Sequence, residues 1–107
     1  MSYKLYFTDV AKQDLREIGF YILQKSKDKD LTKRFINELR KQCNRILDIP
    51  TIGSIPKDYV IKSAGYRFIA YKGYLIFYKV DEINNKIYVV SIFNEKKDYM
   101  RVMKKYI

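Results

Sequence analysis

Apolar and polar positions alternate at the start of the chain: Tyr3, Leu5 and Phe7 fall on one side, Lys4 and Tyr6 on the other. A period of two marks a short, half-buried strand. At Thr8 the period changes. Ala11, Leu15, Ile18 and Ile22 recur at helical spacing, so residues 9 to 25 read as an amphipathic helix. Thr8 is a fitting N-cap, and Asp9 places an anion in the first turn, where backbone N–H groups lack partners. The polar run Lys25-Ser26-Lys27-Asp28-Lys29-Asp30 breaks the stripe, and Asp28 or Asp30 can cap a second helix. Its stripe of Phe35, Leu39, Cys43 and Ile46 continues to about Ile49, where Pro50 stops it by restricting the preceding residue to extended backbone. Two helices joined by a short polar turn form a helical hairpin.

Residues 50 to 63 hold Pro50, Gly53 and Pro56 and no clean period, which predicts a loop crossing to a sheet. Three strands come after it: Gly65 to Tyr71, Tyr74 to Asp81 and Lys86 to Phe93. Lys72-Gly73 is a tight hairpin turn in which glycine supplies a positive φ, and Asn84-Asn85 serves the next turn because asparagine tolerates the left-handed region. The last two strands are apolar on both faces, through Leu75, Ile76, Phe77, Tyr78, Val89, Val90, Ile92 and Phe93. That pattern belongs to strands covered on both sides, or covered on one and facing a partner on the other. The tail from Glu95 to Ile107 predicts a short basic helix docked through Tyr99, Met103 and Tyr106. The order β-α-α-β-β-β-α gives an α+β fold, with the helical hairpin on one face of a small, mainly antiparallel sheet. Its other face is then expected to be open.

The 107 residues suit a single domain, 1–107, and 48% hydrophobic content is enough for a packed core. Lys and Arg outnumber Asp and Glu by 22 to 12, a formal net charge of +10, which suits an anionic partner. Cys43 is the lone cysteine, so no intrachain disulfide can form, and with no histidine it lacks a Cys–His catalytic partner. The same lack of histidine argues against a common zinc site, and no cofactor or metal is expected. There is no apolar run of membrane-spanning length and no signal-peptide core, so a cytoplasmic chain without membrane association is expected.

The candidate chemistry is basic and aromatic. Arg67 sits inside an apolar strand, where a guanidinium needs a partner or a ligand. Tyr74, Ile76, Tyr78 and Val80 share one strand face; Lys57 and Lys62 come from the loop; Lys96, Lys97 and Tyr99 follow the last strand; Lys104 and Lys105 close the tail. Cations that hold phosphates beside rings that stack on unpaired bases make an RNA surface. The same cations can stabilise a pentacovalent phosphate while a Tyr or Lys of lowered pKa moves the proton. The plainer alternative is that the tyrosines pack the sheet and the lysines solvate its rim.

The run Tyr66-Arg67, then Tyr74-Leu75-Ile76-Phe77-Tyr78-Lys79-Val80, then Ile87 to Tyr99 resembles the C-terminal half of RelE/ParE toxins of type II toxin–antitoxin systems, and the Pro-x-x-Gly at Pro50 to Gly53 is similar to that family too. The resemblance covers nearly the whole chain. It implies a toxin, with plasmid stabilisation among the roles of such systems, wrapped by a cognate acidic antitoxin. Its RelE-like branch implies a metal-independent, ribosome-dependent mRNA endoribonuclease whose partners are ribosome and mRNA. There Arg67, Lys96, Lys97, Tyr99 and Tyr78 would be catalytic, and Lys57, Lys62, Lys104 and Lys105 would bind RNA. Its ParE-like branch implies a DNA gyrase inhibitor with no nuclease site. Asn94 stands where many relatives have His and Ser91 where many have Arg; both count against the nuclease branch, while Arg67, Lys96, Lys97 and Tyr99 count for it.

Overall fold

The computed structural model describes residues 2–107. Its elements are β1 (Lys4–Phe7), α1 (Asp9–Ser26), α2 (Lys29–Asp48), α3 (Tyr59–Ser63), β2 (Tyr66–Tyr71), β3 (Tyr74–Asp81), β4 (Lys86–Asn94) and α4 (Tyr99–Met103), with a 3-10 turn over Lys104–Tyr106. The α+β order is the expected one, with α3 added. Thr8 caps α1 by accepting from the Ala11 amide, and Asp28, not Asp30, caps α2 by accepting from the Leu31 amide. Lys72 (φ 43) and Gly73 (φ 87) both take positive φ, as a two-residue type I′ hairpin requires.

The four strands lie in the order β1-β4-β3-β2, with β1 parallel to β4 and the other pairs antiparallel. The helical hairpin covers one face. Ala11, Leu15 and Ile18 of α1 and Leu39 and Cys43 of α2 pack on Ile76, Val89 and Ile92. Truncating a fully buried residue such as Leu39 to alanine removes about 2–5 kcal/mol.

The opposite face is not open, contrary to the expectation from sequence. Ile61 of α3 and Met103 of α4 are fully buried there, against a cluster that includes Tyr66, Phe77, Val90 and Phe93. Phe68, Phe77 and Phe93 stack across three strands, and Tyr99 stacks on Phe77 with ring centroids 5.9 Å apart. The loop at 50–63 therefore contains a one-turn helix, capped by Asp58, whose buried Ile61 helps to close this face. No helix among the described residues is long and apolar enough to cross a membrane.

One irregularity in β4 matters for the site. Phe77 pairs with Ser91 and Tyr78 with Val89, so Val90 is an extra residue, a β-bulge. A bulge leaves ladder groups unpaired, and α1 satisfies them. The Thr8 hydroxyl donates to the Val90 carbonyl at 2.8 Å, and the Asp14 carboxylate accepts from the Ile92 amide and the Ser91 hydroxyl, both at 2.9 Å.

Candidate functional site

Arg67 and Tyr78 face each other across the β2–β3 ladder. Both are directed at the segment between α2 and α3. The Tyr78 hydroxyl donates to the Pro50 carbonyl at 2.7 Å and accepts from the Gly53 amide at 2.9 Å. Arg67 donates through Nη1 to the carbonyls of Gly53 at 3.0 Å and Thr51 at 3.4 Å. Ser54 then pairs with Phe68 through two backbone bonds, so the segment is fastened along the outer edge of β2. Tyr78 is 0% exposed. Burial pushes its pKa up, with the Gly53 amide and the Arg67 charge opposing that shift only in part. At neutral pH its hydroxyl is a protonated structural donor with no access for a substrate.

Next to this clamp is an open groove of about 400 Å³, where Arg67 and Lys62 meet Thr51, Ile55, Tyr66 and Glu82. The other sequence-predicted residues are elsewhere. Lys96 and Lys97 are exposed in the turn after β4, which Asn94 organises by accepting from the Lys96 amide through Oδ1 and from the Lys97 amide through its carbonyl. Asn94 pairs with Tyr74, whereas Arg67 pairs with Tyr78, and roughly 13 Å of strand separates those two levels of the sheet. Lys97 lines a second groove of about 310 Å³ with Asp14, Tyr21, Tyr74 and Asn94. Burial raises the pKa of Tyr74, and neighbouring Tyr21 adds to the rise.

Tyr99 belongs to neither groove. Its ring lies on Phe77 and its hydroxyl accepts from the Asp58 amide at 3.2 Å, which fastens α4 to the start of α3. Lys57 is exposed beside that junction, and Lys104 and Lys105 are exposed on the terminal turn. The structure thus pairs Arg67 with Tyr78 and brings Arg67 to Lys62. It does not bring Lys96, Lys97 or Tyr99 to them.

Sequence reasoning missed Asp14, whose partners on the β4 bulge are remote in the chain, and it also missed a ring pair between Tyr6 of β1 and Tyr88 of β4. Only the parallel pairing of β1 with β4 brings those rings together.

A family model described as the ParE toxin of type II toxin–antitoxin systems, parDE, matches residues 5–99. The chain belongs to this ParE toxin family. It is the toxin component of a type II toxin–antitoxin system. No curated protein matches it in sequence. Among solved structures it is similar to the chromosomal ParDE toxin–antitoxin system from P. aeruginosa, with a TM-score of 0.71, 15% identity, and coverage of 86% of this chain and 95% of that one. It is also similar to a free-state mutant of the E. coli toxin RelE, with a TM-score of 0.67, 18% identity and complete coverage of both chains. The RelBE2 toxin–antitoxin complex from Mycobacterium tuberculosis gives a TM-score of 0.65 at 14% identity, covering 89% of this chain and 100% of that one. At such identities these likenesses establish the fold, which ParE and RelE structures share.

The ParE-family toxin leaves most of its charge free. Among the described residues one ion pair forms, Lys41 with Glu38 on α2, in a chain of net charge +10. Apart from Lys41, paired with Glu38, and Arg67, bonded to the Thr51 and Gly53 carbonyls, its exposed cations can meet an external anion.

Proposed function

We propose that this toxin acts by binding its target rather than by cutting RNA, and that the target is DNA gyrase, as the ParE branch of the resemblance implies. The observation that carries this reading is the engagement of Arg67 and Tyr78 with the Pro50–Gly53 backbone. A phosphate clamp needs a guanidinium free to meet the scissile group, and a general base needs a hydroxyl within reach of it. Here one group is bonded to two carbonyls and the other is buried. The chain also has no histidine to share proton transfer, and Lys96 and Lys97 lie a strand-length from Arg67.

In the resting complex an acidic antitoxin segment covers the basic surface. Charge complementarity would speed their association and make it salt-dependent. The antitoxin-bound relatives of the same fold support such a partner.

The test is induction of the toxin in cells, paired with a supercoiling assay on purified gyrase. The expected outcome is filamentation, a DNA-damage response and loss of supercoiling, with mRNA intact. Ribosome-dependent cleavage of mRNA, with gyrase unaffected, would overturn the proposal and restore the nuclease reading.

A further inference from the structure

The outer side of α2 is a basic ridge. Leu39, Cys43 and Ile46 bury its inner side. At about 3.6 residues per turn the opposite side carries Asn37, Lys41 and Asn44, all exposed, along a convex crest. Cations flank that crest on both sides. Lys33 and Arg40 stand two turns apart on one flank, Arg34 and Arg45 stand three turns apart on the other, and all four are exposed. The Arg40 guanidinium rests 5.7 Å from the Phe7 ring centroid, which orients it while leaving its N–H donors free for an anion. With Thr32, Ile36 and Asn37, the Lys33 flank lines an open groove of about 380 Å³ that contains no carboxylate, unlike the grooves beside Arg67 and Asp14. Ile36 lies against Gly19 of α1, and Arg16 and Lys12, one and two turns before Gly19, share that flank of α1. The acidic residues of α2 are accounted for: Glu38 is paired with Lys41 at 3.2 Å, and Asp30 and Asp48 stand at the two ends, outside the span from Lys33 to Arg45.

We infer that α2 lies in the major groove of duplex DNA, with its crest toward the bases and its two rows of cations toward the two phosphate backbones. Shape and charge together select this occupant. A convex crest with cations on both sides fits a concave polyanion, and the B-form major groove, about 12 Å wide and walled by phosphates, admits an α-helix. The span from Lys33 to Arg45 is about 18 Å long, or roughly five base pairs. Arg16 and Lys12 of α1 add to the row that Lys33 and Arg40 begin. The crest amides of Asn37 and Asn44 offer both donors and acceptors to base edges. An acidic peptide or a single nucleic-acid strand presents one line of anions, so it meets one row and leaves the other in water. The major groove of an RNA duplex is too deep and narrow for the ridge. A lipid surface calls for apolar side chains to insert, and between Lys33 and Arg45 none is exposed.

The experiment measures fluorescence anisotropy of a labelled, mixed-sequence DNA duplex of about twenty base pairs with the purified toxin, over a range of salt. Gyrase is left out, so failure here would leave the gyrase reading intact. The expected result is saturable binding that weakens with salt. Lys33→Gln with Arg40→Gln, and separately Arg34→Gln with Arg45→Gln, should each reduce affinity at least tenfold at low salt and flatten the log–log salt dependence by about 1.8, the share of two phosphate contacts on B-form DNA. Thermal unfolding of each variant shows that it is folded. Asn37→Glu sets an anion on the crest, is compatible with the helix through Lys33 and Lys41 one turn away, and should also weaken binding at least tenfold. Lys4→Gln with Lys79→Gln removes the same charge from the sheet and should leave affinity within about twofold. Equal losses from all three double variants would reduce the effect to diffuse charge and overturn the inference. Loss from one row alone would overturn the placement in a groove. A single strand, an RNA duplex or polyglutamate that competes as well as unlabelled duplex DNA would overturn the assignment of the occupant.

Discussion

Gly53 and Tyr78 occupy one another's space. A Cβ built on Gly53 would come within 2.6 Å of Tyr78 Cε1 and 2.7 Å of its hydroxyl, with the Phe68 carbonyl 3.0 Å away on the far side. The Gly53 amide meanwhile donates to that hydroxyl. Glycine is therefore needed here for room: the ring it abuts is fully buried and cannot swing clear. The Pro-x-x-Gly segment and the central strand tyrosine form a single fitted unit.

Gly53→Ala should thus destabilise the protein by about 1–3 kcal/mol, through overpacking in a site that cannot relax. Tyr78→Phe keeps the ring and leaves the Pro50 carbonyl and Gly53 amide without a partner, at a cost of about 2–3 kcal/mol. In a Tyr78→Leu background the ring is gone, and Gly53→Ala should then cost much less. Urea unfolding of the double-mutant cycle measures that coupling; strictly additive losses would show that the two residues do not share the space.

The β4 bulge makes a second prediction. Asp14 is the acceptor for a buried ladder amide, Ile92, and for the Ser91 hydroxyl. Asp14→Ala strands both donors and should lower stability by about 2 kcal/mol, whereas Ser91→Ala removes one donor from a site that keeps Ile92 and should cost under about 1 kcal/mol. Hydrogen exchange at the Ile92 amide, faster in Asp14→Ala than in Ser91→Ala, distinguishes the two. Equal exchange in both variants would contradict the carboxylate's role.

Much of this fold is legible from local pattern. The stripes of α1 and α2, the Thr8 and Asp28 caps and the Lys72-Gly73 turn each come from a few consecutive residues, and each is present. The covered second face is legible in part: Leu75, Phe77, Val90 and Phe93 make β3 and β4 apolar on both sides, and Tyr99, Met103 and Tyr106 are recognisable as docking residues. An open second face is at odds with that tail, which has nowhere else to dock. Helix α3 escapes sequence reasoning because one turn is shorter than any period it could display. The site is less legible still. An arginine within an apolar strand signals a partner, yet Arg67 finds it in loop carbonyls that no spacing rule identifies. The Tyr6–Tyr88 pair depends on a β1–β4 pairing that neither strand announces.

Cys43 gives the chain a pH dependence at the alkaline end. Buried between the helical hairpin and the sheet, its thiol is pushed up to about 12 from 9.0, chiefly by desolvation, with the nearby Arg40 charge opposing. The folded pKa lies above the unfolded one. The protonated thiol's contribution is therefore complete below about pH 9 and is lost as pH rises toward 12. Over that window wild type should lose stability more steeply than Cys43→Ala, by about 1 kcal/mol per pH unit. The buried tyrosines shift in the same direction and act in both proteins, so the difference between the two curves isolates the thiol. Parallel curves from pH 9 to 12 would show that the thiol is not desolvated.

Arg67→Ala separates a structural arginine from a catalytic one. Its guanidinium supports the Thr51 and Gly53 carbonyls at the edge of β2, beside an open groove, so its loss should cost about 1–2 kcal/mol, since hydrogen bonds with a charged donor are stronger than neutral ones. Toxicity should then fall only as far as the folded fraction falls. At a temperature low enough to restore that fraction, judged by circular dichroism and soluble yield, the variant should arrest growth like wild type. Arg67→Lys should lose less stability than Arg67→Ala, because both carbonyl bonds come from the single nitrogen Nη1 and an ammonium, though on a shorter side chain, also has several N–H donors. Abolished growth arrest in a fully folded Arg67→Ala protein would place the guanidinium on the target and return it to the toxic mechanism.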